Sequence, residues 1–162
     1  MFKIIDNYLT TEDSLILKSM LEGSNFPWFF QSDKIHFKNN ANDLFNNHFY
    51  HTFYNDYKVN SDFYHHLYPL IDKLKPLSLI RIKANLTPIT QKLVEYKPHC
   101  DQDFKCKVGI YYVNDNNGYT VIEGKKIESK NNRMVLFNSK IKHSGTNSTN
   151  CKNRMVINFN YF

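Results

Sequence analysis

From Leu77 to the C-terminus the chain is a succession of short strand-forming segments broken by turn residues, and this pattern restricts the possible folds more than any other feature. The segments are Leu79–Leu86, Leu93–Lys97, Lys105–Val113, Tyr119–Glu123, Arg133–Phe137 and Arg154–Tyr161. Between them lie Asn114-Asp115-Asn116-Asn117-Gly118, Asn131-Asn132 and the polar stretch 144–153, where the backbone is expected to turn. Upstream, Phe2–Ile5 predicts a short strand. Thr10 with Asp13 caps a helix whose apolar positions are Leu15, Leu17, Met20 and Leu21, ending near Gly23. Ser61 caps a second helix carrying Phe63, Leu67, Leu70, Ile71 and Leu74, interrupted at Pro69 and stopped by Pro76. Residues 25–59 are irregular and read as loops and short strands, with Trp28, Phe29 and Phe30 assigned to the core. Two supporting helices before a run of short strands predict an α+β fold with a double-stranded β-helix, or jelly-roll, core.

A chain of 162 residues, 41% of them hydrophobic, suffices for one compact domain. The expectation is a single domain over 1–162, with helical and irregular support over 1–78 and the jelly-roll core over 79–162. The formal charge of +6 comes from lysines scattered along the chain, which favours a solvated basic surface over a polyanion site. Cys100, Cys106 and Cys151 fit neither a disulfide framework nor paired zinc spacing, so reduced thiols are expected. No apolar run reaches the roughly 18–20 residues that span a bilayer, and the N-terminus lacks a signal-peptide layout. A cytoplasmic protein without a membrane partner is expected. Richness in Asn, Lys, Ile, Tyr and Phe fits an AT-rich bacterial or viral genome, and in the viral case the compartment would be the host cytoplasm.

Four residues carry the chemistry. His99 and Asp101 form an H-x-D pair, His143 follows 42 residues after the Asp, and Arg154 lies 11 residues further on. Residues two apart on extended chain point the same way, so His99 and Asp101 share a face and Cys100 points opposite, into packing. Two imidazoles and a carboxylate on one side of Fe(II) leave coordination positions open for a co-substrate and O₂. Arginine keeps its charge and presents a fork that fits a carboxylate, which suits a dicarboxylate such as 2-oxoglutarate. On the terminal segment, alternation places Arg154, Val156, Asn158 and Asn160 on a mostly polar face. Met155, Ile157, Phe159 and Tyr161 fall on an apolar one. The polar face is expected to line a cavity and the apolar face to pack on the helices.

Together Pro98-His99-Cys100-Asp101, Ile110-Tyr111-Tyr112-Val113-Asn114, His143 and the terminal Arg154–Phe162 segment resemble the 2-oxoglutarate- and Fe(II)-dependent oxygenases, most closely their prolyl 4-hydroxylase-like branch. The likeness is clear over Leu79–Phe162 and only an outline before it. It implies that His99, Asp101 and His143 bind iron, and that Arg154 pairs with the distal carboxylate of 2-oxoglutarate. Tyr112 matches a position whose hydroxyl often supports that carboxylate, with an ordinary strand aromatic as the alternative. Relatives often have a Tyr before the Pro of the first core strand; here Thr87 precedes Pro88, a shorter donor. Asn85 and Lys83 share the face of Thr87, and Arg81 lies one step further along. Asn85 joins the candidate co-substrate contacts, whereas Lys83 and Arg81 are read as partly solvated or meeting substrate.

The implied reaction couples oxidative decarboxylation of 2-oxoglutarate, with O₂, to C–H hydroxylation; ascorbate is a further expected stimulant. Asp101 argues against a halogenase variant, which replaces that carboxylate. The resemblance favours a prolyl or other amino-acyl substrate, in a peptide, in a protein or as the free amino acid. A nucleobase is the alternative. A non-catalytic jelly-roll binding module, or a cupin-like metal protein, is the rival from another class, and Arg154 is what discriminates against it. His48, His51, His65 and His66 are assigned surface or packing roles. The oligomeric state is not legible.

Overall fold

The computed structural model describes residues 1–32 and 47–162. The elements in order are β1 (Lys3–Ile5), α1 (Thr11–Glu22), β2 (Phe29–Gln31), β3 (His48–Asn55), β4 (Lys58–Val59), a 3₁₀ helix (Asp62–Leu67), α2 (Tyr68–Leu74), β5 (Leu79–Pro88), β6 (Lys107–Tyr112), β7 (Tyr119–Ile122), β8 (Lys125–Glu128), β9 (Arg133–Asn138), β10 (His143–Gly145) and β11 (Asn153–Tyr161). A large sheet runs β1-β9-β6-β11-β5-β3-β2, with β4 attached to β3; a small sheet runs β10-β7-β8. All pairings between these strands are antiparallel. This is the double-sheet jelly roll that the strand spacing predicts.

The terminal strand shows how side-chain alternation sets the architecture. Met155, Ile157, Phe159 and Tyr161 are buried with Leu17, Leu21, Leu67 and Leu70 from the helices, together with Phe53, Ile82 and Tyr111. Burying each large side chain contributes about 1.5–3 kcal/mol. A one-residue slip would send that whole set to the other face and Arg154 into the helices. Between the sheets lies a second cluster containing Val108, Ile110, Tyr112, Ile122, Val135 and Val156.

Both helices form for the reasons that their ends announce. Thr10 Oγ1 accepts from the Asp13 backbone N–H at 3.1 Å, and Ser61 Oγ accepts from that of Phe63 at 3.1 Å. Pro69 breaks the second helix, so a 3₁₀ turn precedes α2, which ends at Lys75 in the left-handed region (φ 50°) before Pro76. On α1, however, Leu15 faces solvent. The buried face is Ser14, Leu17 and Leu21, a helical spacing in which Ser14 Oγ takes a hydrogen bond from the Tyr111 hydroxyl at 3.1 Å.

Three expectations need correction. The sheet does not begin at residue 79: β1 pairs with β9, and β3 pairs with β5 over much of its length. The β3 sequence, His-Phe-Tyr-His-Thr-Phe-Tyr-Asn, mixes aromatic and imidazole side chains and so shows no clear alternation. Leu93–Lys97 is not a strand but is held by a single bridge, Glu95 to Thr146. The Asn147 carboxamide takes the Val94 N–H and donates to the Lys92 carbonyl, replacing the ladder there. Finally, Phe29 and Phe30 are exposed, because β2 is an edge strand; Trp28 is the member of that trio packed on the core.

Candidate metal centre

His99 and His143 meet through backbone. They form an isolated antiparallel bridge in which each N–H donates to the other's carbonyl at 2.9 Å, which puts the rings side by side with centroids 4.5 Å apart. Asp101 follows on the irregular segment before β6. His99 Nε2 and His143 Nε2 stand 3.7 and 3.6 Å from Asp101 Oδ1, and all three ligand atoms fit within 4.8 Å. One ion with bonds near about 2 Å can bridge such a set.

The surroundings prepare these atoms as ligands. Each imidazole turns Nδ1 toward the carbonyl two residues earlier, Lys97 for His99 and Ile141 for His143, at 3.5 and 3.4 Å. That orientation suits an Nδ1–H tautomer with the Nε2 lone pair free. Burial lowers the His143 pKa, partly opposed by the Asp101 carboxylate, so the ring is neutral near pH 7. Asp101 Oδ2 accepts from Asn160 Nδ2 at 3.1 Å, and Asn160 is itself fully buried on β11. Sequence reading placed Asn160 on the polar face without assigning it this contact.

The triad opens into a cavity of about 300 Å³ that also touches Arg154, Thr87 and Asn85. Arg154 is buried; its Nε donates to Ser129 Oγ at 2.9 Å and its Nη2 to Thr120 Oγ1 at 3.1 Å. Among the described residues no carboxylate lies within ion-pair distance of it. Burial presses the guanidinium pKa down, while the Tyr112 and Tyr96 rings act in the opposite direction. A buried guanidinium facing a cavity without a counter-charge is a strong anion receptor.

The other assigned positions divide. Thr87 pairs with Arg154 across the β5–β11 ladder, and Asn85 lies one inward-facing position along. Tyr112 is not among the side chains that line the cavity. Its hydroxyl donates to Thr120 Oγ1 at 2.7 Å and its ring lies under the Arg154 guanidinium, 5.6 Å from the centroid, so it steadies Arg154 from behind. Alternation along β6 turns Tyr112 into the cluster between the sheets. Cys100 is corrected. It is exposed at the cavity edge with Sγ 3.6 Å from the Lys140 carbonyl, because the segment at 98–106 is not a packed strand.

Among the polar side chains of the lining, Tyr96, Thr120 and His48 escaped the sequence reading. His48 sits on β3, whose strand character was hidden, and Thr120 is an ordinary strand residue by pattern. His51, in contrast, has the packing role expected of it, held between the Pro27 carbonyl and Ser61 Oγ. All three cysteines are free thiols. Among the described residues no helix is long and apolar enough to cross a membrane.

A jelly roll carrying a His-x-Asp…His cluster beside a buried arginine defines the class of mononuclear non-heme iron oxygenases. Residues 88–162, a little under half of the chain, match the model of the 2OG-Fe(II) oxygenase superfamily. No curated protein sequence matches the chain. Solved structures do. A prolyl-4-hydroxylase from Pseudomonas putida is similar with a TM-score of 0.71 at 10% identity, covering 99% of this chain and 91% of the other. A prolyl hydroxylase from Trichoplax adhaerens, solved with a hypoxia inducible factor peptide fragment, gives 0.68 at 14% identity, covering 99% and 83%. The non-heme alpha ketoglutarate dependent epimerase SnoN from nogalamycin biosynthesis gives 0.71 at 12% identity, covering 99% and 77%. At these identities the structural likeness bears on fold.

Proposed function

We propose that His99, Asp101 and His143 hold Fe(II), that Arg154 binds the distal carboxylate of 2-oxoglutarate, and that the enzyme hydroxylates a C–H bond of a prolyl or other amino-acyl substrate. The observation that carries the site assignment is Arg154: a buried cation without a carboxylate partner among the described residues, in the same cavity as the triad. Two neutral nitrogens and one carboxylate oxygen fit Fe(II) and leave room for a bidentate co-substrate. When bound, Fe(II) with 2-oxoglutarate supplies oxidising power from O₂ as the co-substrate loses CO₂ to become succinate. Protein residues orient and shield. Ser129 and Thr120 fix the guanidinium, and Thr87 and Asn85 face the co-substrate from β5. The amino-acyl preference draws support from the prolyl-hydroxylase-like motifs and from the fold shared with the Pseudomonas and Trichoplax enzymes.

Anaerobic addition of Fe(II) and 2-oxoglutarate should produce a weak visible metal-to-ligand charge-transfer band. Correctly folded protein without that band would refute the assignment. Succinate release in the presence of peptides, free amino acids and single-stranded DNA then ranks the substrate classes, and stimulation by DNA alone would overturn the amino-acyl reading.

Two supporting residues give sharper tests. Asn160→Leu removes the only side-chain hydrogen bond to Asp101 Oδ2 among those described. Iron affinity should fall by about 10–100-fold in competition with a chelator. Gly118 touches the stem of Arg154: a Cβ there would lie 2.6 Å from Arg154 Cδ and 2.5 Å from the Asn147 carbonyl oxygen. Backbone on one side leaves the arginine to move. Gly118→Ala should cost about 1–3 kcal/mol by overpacking. It should weaken 2-oxoglutarate by about tenfold in a band titration, with iron retained.

A further inference from the structure

Beyond the triad and Arg154, the cavity contains two more cations. Arg81, Lys83, Asn85 and Thr87 alternate along one face of β5 and all line it. Across the ladder they oppose Asn160, Asn158, Val156 and Arg154 respectively. At about 3.3 Å per residue, Arg81 and Thr87 are about 20 Å apart along the strand. Arg154 therefore marks one end of the cavity. Arg81 marks the other, opposite the asparagine that holds Asp101.

The one acidic group whose charge is felt at that end is Asp101, which acts on Lys83 from beyond ion-pair distance. Among the described residues no carboxylate comes within ion-pair distance of Arg81 or Lys83. Arg81 Nε is buried without a hydrogen-bond partner, as is Oδ1 of Asn158, the residue opposite Lys83. Lys83 Nζ rests over the Tyr50 ring, 4.4 Å from its centroid. Burial, and then the like charge of Arg81, hold the Lys83 pKa down at about 8. Buried donors without acceptors are costly and seldom retained without a use.

Charge balance says what is missing. On the reading given above, the charges of Fe(II) and 2-oxoglutarate cancel one another. Asp101 is the one carboxylate in the lining, against the three cations Arg154, Arg81 and Lys83. Net positive charge is left over, and Arg81 and Lys83 stand at the end of the cavity opposite Arg154.

We infer that Arg81 and Lys83 form an oxyanion subsite, so that the oxidised substrate carries a carboxylate or phosphate group close to the C–H bond presented to the metal. An arginine fork beside a lysine point charge suits either group. Asn158 Oδ1 then takes an N–H or O–H of the same substrate, which fits an amino acid whose own carboxylate is free, or an acidic residue beside the target in a peptide. An uncharged amide in the same position would leave both half-buried cations without a counter-ion.

This inference rests on the proposed iron and co-substrate site, and the test separates the two. The protein is loaded with 2-oxoglutarate and with Zn(II) as a diamagnetic stand-in. The Arg81 Nε–H resonance, assigned by its loss in Arg81→Gln, is followed by NMR during titration with acetate, with inorganic phosphate, and with chloride at matched ionic strength. A saturable shift in the millimolar range with acetate or phosphate but not chloride is expected, and the effective anion names the source. Lys83→Met should weaken it by about tenfold. In parallel, amino acids with free carboxylates should stimulate succinate release more than their carboxamides. Absence of a saturable shift, an equal response to chloride, or an unchanged affinity in Lys83→Met would overturn the subsite while the charge-transfer band leaves the iron assignment standing. Absence of the band itself would overturn both.

Discussion

Arg154→Ala is expected to keep Fe(II) and to weaken 2-oxoglutarate by about a hundredfold or more. The guanidinium is buried, and its hydroxyl partners Ser129 and Thr120 are neutral groups that position it without satisfying its charge. Truncating one partner of a buried charge pair costs about 2–5 kcal/mol, because the other partner is left desolvated and alone. In the variant that partner is the distal carboxylate of the co-substrate, left with neutral neighbours such as the hydroxyls of Thr87 and Thr120. Iron should be unaffected, since Arg154 lies at the far end of the cavity from Asn160 and Asp101. Titrating 2-oxoglutarate against the charge-transfer band at saturating Fe(II) reads the effect directly. Arg154→Lys should recover part of the affinity, retaining the charge but not the fork. An unchanged affinity in Arg154→Ala would remove Arg154 from the site.

Asp101→Ala has the opposite signature: no stoichiometric Fe(II), no band with 2-oxoglutarate, and an apo protein at least as stable as the parent. The Asp101 side chain is 6% exposed, and among the described residues it has no lysine or arginine within ion-pair distance. Its contacts are two imidazoles and Asn160, with the Lys83 charge acting from beyond ion-pair distance, so in the apo protein a nearly buried carboxylate is poorly compensated. Removing it relieves that desolvation. Removing it also deletes the only anionic ligand, leaving two neutral nitrogens that bind Fe(II) weakly. Metal analysis after gel filtration and thermal melts of both apo proteins test the two halves. Full iron occupancy, or a large drop in apo stability, would refute the ligand role. His99→Ala should likewise lose iron, since His99 is partly exposed and contributes its ring to the cluster and little to the core.

The contrast between these two variants explains which parts of the site can be read along the chain. His99 and Asp101 are two residues apart, and Arg154 heads a strand whose alternation is unambiguous. In both cases local extended geometry fixes which side chains share a face, and that information is contained within a few residues. Tyr112 shows where such reading stops. Its strand and its burial were legible, but its direction relative to the cavity depends on β6 lying between β9 and β11 in the large sheet. Thr120 and Asn160 likewise look like ordinary strand residues until the small sheet folds over the large one.

β3 was hidden for a different reason. Strand alternation is visible when one face is apolar and the other polar. This strand presents aromatic or imidazole side chains on both faces, packing Phe53 on one side and turning His48 to the cavity on the other. Leu93–Lys97 is the converse: its pattern suits a strand, but Asn147, more than fifty residues later, claims its backbone groups.

By itself, then, the sequence determined the jelly-roll class, the capped and Pro-broken helices, the His-x-Asp pair and the polar face of β11, because each follows from periodicity or from residues close along the chain. Only the tertiary structure decided that His143 bridges to His99, that Asn160 holds Asp101, that Tyr112 stands behind Arg154 and that Arg81 and Lys83 line the other end of the cavity with no carboxylate in ion-pair distance among the described residues. Those relations join segments distant along the chain, and antiparallel register and the stacking of two sheets, not local propensity, bring them together.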